Sequence, residues 1–148
     1  MKKFKFRLET ILTLKEKTLN EKRQELAKVM NLLNEAKLHF EELNDSKEKA
    51  SLALMEIYEG SEFFDLNKIQ MYKEYLIKLD SNIQNQNNII KQIEKTLKAK
   101  QEEVNQALID KNILEKLKEK QSQKHYKEIL HKEAVELDDI SISRYKAG

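Results

Sequence analysis

From Ile69 to Leu114, a walk in alternate steps of four and three residues lands on apolar side chains at eleven of fourteen positions. The exceptions are Gln86, Lys100 and Lys111, and the intervening residues are mostly Lys, Glu, Gln, Asn and Asp. Strand faces repeat every two residues, so this spacing belongs to a helix. A stripe this narrow, kept up over so many turns, needs a second helix to cover it. A matching stripe precedes it. From Leu8 the same walk reaches Ile57 and is apolar at twelve of fifteen positions, interrupted only by Lys15, Lys22 and Lys47.

The alternation of Phe4 and Phe6 with Lys5 and Arg7 would by itself fit a very short strand. The helical period behind it overrides that reading, and the spacing predicts one helix from about Phe4 to about Tyr58. Gly60, the single internal glycine, is a stop signal, because glycine takes the left-handed backbone conformation without a Cβ penalty. Asp65 is placed to cap the next helix, which is predicted over about residues 66–142, with the bend over about 59–65 (Ser61, Glu62, Phe63 and Phe64 included). So short a connection makes the helices antiparallel neighbours.

The predicted fold class is therefore all-α: two long helices in an antiparallel coiled-coil hairpin, one domain over residues 1–148. Positions whose numbers sum to about 125 should lie side by side. The first helix then runs out opposite roughly Leu117, and the C-terminal end of the second overhangs it. Lys15, Lys22, Lys100 and Lys111 in the seam predict a root that frays more readily than the middle, since buried lysines and like charges cost packing. Gln86 is the kind of single seam polar residue that fixes register. On the overhang, Tyr126, Leu130, Ala134, Leu137 and Ile140 recur at near-helical spacing beside Ile129. Apolar stripes left uncovered in this way mark contact sites, although a plain self-association surface has the same appearance.

Composition agrees with rods rather than a globule. The 148 residues include no Pro, no Trp, no Cys and two Gly, with 36% charged against 39% hydrophobic and only 7% aromatic. Helix breakers are nearly absent, and the apolar positions are confined to seams. A formal net charge of +2 lacks the one-sided basic excess of a nucleic-acid binder. The basic start, Lys2, Lys3, Lys5 and Arg7 around Phe4 and Phe6, has no apolar core of the signal-peptide kind. No window approaches the length needed to span a bilayer. These features predict an intracellular protein with no membrane insertion.

Catalytic constellations are not found: there is no glycine-rich phosphate loop, no nucleophile elbow and no cysteine. His125 and His131 are six apart, on different helix faces, unlike the pair four apart in a zinc helix. With His39 they read as solvated helix histidines. Glu133, Glu136, Asp138 and Asp139 lack the glycine turn of a calcium loop and read as a solvated face or a docking patch for a basic partner. The expectation is a non-enzyme without cofactor or metal.

Two end motifs and the size of the chain resemble the flagellar FliJ family. They are the opening Phe4-Lys5-Phe6-Arg7-Leu8-Glu9-Thr10-Ile11-Leu12 and the run Leu114-Glu115-Lys116-Leu117-Lys118-Glu119-Lys120, followed by Tyr126, Glu133 and Leu137-Asp138-Asp139-Ile140. The resemblance covers the whole length. It implies a cytoplasmic component of the flagellar type III export apparatus, peripherally associated with the inner membrane through that apparatus. Family members are stalk-like antiparallel coiled coils that enter the hexameric export ATPase by the end bearing the termini, contact the membrane-embedded export gate and escort export chaperones. Carried onto this sequence, the ATPase contact would use Phe4, Phe6, Arg7, Leu8, Ile11, Leu12, Tyr126, Leu137, Asp138, Asp139 and Ile140. The gate contact would use Tyr72, Tyr75 and Leu79, in the run Met71 to Leu79. The chain is expected to be a monomeric hairpin with no nucleic-acid partner. The alternative is a structural coiled-coil spacer that self-associates through its overhang.

Overall fold

The computed structural model describes residues 3–60 and 65–147. Two α-helices make up the fold, α1 (Glu9–Glu59) and α2 (Leu66–Ala147), with no strand among the described residues. The chain divides into two compact units, Met1–Lys22 with Glu103–Gly148 (unit 1) and Arg23–Glu102 (unit 2). Each holds a length of both helices. Most of the predicted bend, Ser61, Glu62, Phe63 and Phe64, lies outside the described residues.

Unit 2 is an antiparallel helix pair with a thin continuous core. Leu33, Ala36 and Ile90 are buried together, with Phe40, Ile93 and Leu97 packed around them. Gln86 is buried among these groups, and its Nε2 donates to the Ala36 carbonyl oxygen at 3.0 Å. That oxygen has a lone pair to spare, and a buried amide left without a partner costs more than the bond returns. Sliding one helix along the other would orphan the amide, so Gln86 penalises neighbouring registers. Lys100 meets Glu25 at 3.1 Å and Lys47 meets Asp80 at 2.7 Å across the helices. Both pairs fall within a residue or two of the sum of about 125.

The ends of the helices in this unit follow from local chemistry. The Asp65 carboxylate accepts from the backbone N–H of Asn67 and Lys68, at 3.1 and 3.3 Å, satisfying two donors that the first turn of α2 cannot. Gly60 ends α1 as expected but for another reason. No described glycine has positive φ. Instead the Gly60 N–H donates to the Glu56 carbonyl at 2.8 Å, and a Cβ would stand 2.9 Å from that same oxygen. Close approach, not handedness, selects glycine there.

Unit 1 pairs the start of α1 with the later part of α2. Leu12, Leu19 and Ala107 are buried, Lys22 meets Glu103 at 3.4 Å and Lys118 meets Glu9 at 2.9 Å. Two of the lysines expected to weaken this stretch, Lys22 and Lys111, thus have glutamate partners: Lys111 has Glu115 at 3.3 Å. The predicted helix start at Phe4 is corrected to Glu9. The Glu9 N–H donates to the Phe6 carbonyl at 3.2 Å, closing a turn over Arg7 and Leu8. Ahead of it Phe6 is buried and Phe4 half-buried, while Lys3, Lys5 and Arg7 are exposed. The two-residue alternation that the helical period seemed to override governs this segment after all. α2 in turn runs to Ala147, five residues past the predicted end, with Arg144 and Lys146 in its last turn where cations favour the helix dipole.

Candidate functional site

Nonhelical residues advance up to about 3.3 Å each against about 1.5 Å in a helix, so the segment before Glu9 covers more of α2 than a helix could. Phe4 reaches His125, their ring centroids 5.6 Å apart and tilted by 44°, and His125 stands 5.9 Å edge-on from Tyr126. Cover on α2 therefore extends to His125 and half-buried Ile129, beyond the Leu117 expected from pairing two helices. His125 is a packing residue that the sequence reading left in solvent. Its place could have been found only by knowing that the start of the chain leaves the helix.

Past Ile129 every residue of α2 up to Lys146 is exposed. Leu130, Leu137 and Ile140 continue from Tyr126 along one side, all at least half exposed. Val135, Ile142 and Tyr145 form a second apolar row on another side, with Tyr145 at 89% exposure. The sequence reading missed this second row, because it ended the helix at 142 and followed a single stripe. Asp138 and Asp139 are exposed as well, and by helical angle Asp138 falls within the second row.

The residues carried onto the ATPase contact thus separate into two groups within unit 1. Phe6 and Leu12 are buried, Phe4 and Leu8 half-buried, and these form the packed base. Arg7, Ile11, Tyr126, Leu137, Asp138, Asp139 and Ile140 are exposed and form the available surface.

Of the three gate residues, all in unit 2, Leu79 is buried and Tyr72 half-buried, leaving Tyr75 as the exposed one. An open groove of about 710 Å³ runs between the end of α1 and the start of α2, lined by Ala53, Ile57, Met71, Tyr72 and Tyr75 with Glu56 and Lys68 at its polar edge. A second groove, reaching Ser46 and Lys49, shares both tyrosines. Both tyrosines thus line two shallow, open grooves, suited to side chains of a docked segment rather than to a small molecule held on all sides.

No group of three or more His, Cys, Asp or Glu among the described residues could hold a metal ion. No described helix is long and apolar enough to cross a membrane. Comparison with protein families gives a match to the family described as flagellar FliJ protein, over residues 4–148. Searches of curated proteins and of solved structures return no match.

Proposed function

The chain belongs to the FliJ family of flagellar export components, and on that premise we propose that it is a cytoplasmic stalk of the export apparatus. Its exposed C-terminal helix binds and stimulates the hexameric export ATPase. Tyr72 and Tyr75, with Leu79 buried in the seam, engage a segment of the export gate, and export chaperones dock on the same chain. The observation that carries this reading is the exposed length of α2, where two apolar rows stand in water over residues 130–146. Uncovered apolar surface of this kind is retained on a water-exposed helix when a partner buries it.

Nothing in this arrangement performs chemistry on nucleotide, so an effect on ATP hydrolysis acts through the ATPase subunits: binding favours one arrangement of the ring over another. The packed base is what makes such a contact stiff. Phe4 against His125 and Lys118 against Glu9 tie the start of the chain to α2 just below the exposed length.

Deleting residues 126–148 should abolish capture of the export ATPase and stimulation of its activity, with helicity of the remaining chain unchanged by circular dichroism. Undiminished stimulation by the truncated chain would overturn the assignment. Sedimentation of the full chain separates the alternative: a stalk sediments as a monomer near 17.6 kDa, and a self-associating spacer as a dimer that the same deletion dissolves.

A further inference from the structure

The outer face of α2 in unit 1 carries a second surface, chemically unlike the apolar rows. Residues 111–127 hold six lysines and two glutamates, while residues 128–140 hold five carboxylates and one lysine. At about 100° per residue, Lys116, Lys120, Lys124 and Lys127 fall within an arc of about 80° and span about 16 Å of helix. The face packed toward α1 is the opposite one, where Lys118, His125 and Ile129 are half-buried. All four lysines of the arc are exposed.

Lys111 and Lys118 each have a glutamate partner, but none of the four forms an ion pair among the described residues. By the same helical angle, no Asp or Glu shares their arc from residue 103 to residue 137. Ile109 and Ile113 lie in the arc ahead of them, each more than half exposed.

This face fits an anionic surface, and its composition narrows the kind. The cations are all lysines, point charges on flexible stems without the planar fork that reads carboxylates or nucleic-acid bases two bonds at a time. From residue 103 to residue 137 the arc contains no Phe, Tyr or Trp on which a base could stack. Exposed isoleucines leading into a row of lysines match a bilayer interface, where apolar groups enter the headgroup layer and ammoniums meet lipid phosphates. We propose that this face of α2 adsorbs to an anionic lipid surface, lying on it without insertion. The site lies ahead of the second apolar row along α2, at a similar helical angle, and does not depend on the export reading.

The test is co-sedimentation of the full chain with vesicles of equal parts phosphatidylglycerol and phosphatidylcholine. Binding is expected at low salt, lost at high salt as the charges are screened, and absent with phosphatidylcholine alone. Each lysine near such a surface contributes roughly five-fold in partition, so K116Q/K120Q/K124Q/K127Q should weaken binding by roughly several hundred-fold. Circular dichroism of this variant should be unchanged, because the four side chains support no packing. K3Q/K5Q/R7Q should retain most of the binding. The proposal is overturned if anionic vesicles are not bound at low salt, if the quadruple variant binds as well as the parent, or if the N-terminal variant is the one that loses binding. Tighter binding to duplex DNA or to polyglutamate than to the vesicles would overturn it as well.

Discussion

The helical stretches 25–59 and 66–100 use nearly the same vocabulary of Leu, Ile, Lys and Glu as the helical residues 130–146, yet they are different materials. In the first, nearly every seam residue meets one from the other helix, and Gln86 has a carbonyl to hold. In the second every residue is exposed. Helices draw most of their stability in water from a covered apolar face rather than from propensity. The difference teaches that the covered pair holds the fold, whereas the exposed length keeps its apolar surface available for a partner.

Hydrogen exchange should show the contrast at its largest. Amides of Leu33 to Leu43 and Ile83 to Leu97 should exchange orders of magnitude more slowly than those of residues 130–146, since local opening ranges from about zero at exposed ends to the global value in packed cores. Equal protection would mean that the exposed length is covered in solution, and a dimer is the first state to look for.

Stability measurements come next. Leu33→Ala should lower unfolding free energy by about 3 kcal/mol, as a buried leucine cut to alanine does, while Leu137→Ala should change it by less than about 0.5 kcal/mol. A large loss from Leu137→Ala by denaturant titration would break the comparison. Gln86→Ala should cost about 1–2 kcal/mol, because it removes the bond to Ala36 and its buried packing. Gln86→Leu sharpens the point: if stability holds while spectra show more than one helix register, the amide's role is to choose the register. The smallest effect is expected at the end of the covered pair, where Gly60→Ala should cost about 1 kcal/mol as its Cβ pushes on the Glu56 carbonyl. No loss there would mean that the last turn of α1 yields freely.

Much of this was legible in the sequence, and the misses share one cause. Helix type, antiparallel pairing, the Asp65 cap and the register came from periodicity and local signals that act over a few residues. The Phe4-to-Leu8 segment was misread because its two-residue alternation is short, and a long helical period beside it seemed to decide the matter. What released it from the helix is a tertiary contact, Phe6 buried and Phe4 against His125. The same contact brought in a histidine with no sequence signal. On the other side, Leu79 and Tyr72 could be assigned to the seam from spacing, yet only packing showed that Tyr75 remains outside and lines two grooves.

By itself the sequence determined that this chain forms two long helices and which stripe of each seeks cover, because spacing along a helix converts directly into a face. It also carried the family, through the order of its end motifs. Tertiary structure alone decided where the cover stops, since the reach of the first residues depends on whether they coil or extend. It decided as well which seam polar group is satisfied and which lysines are left without an acid. Those outcomes depend on distances between residues far apart in the chain, and no local pattern encodes them.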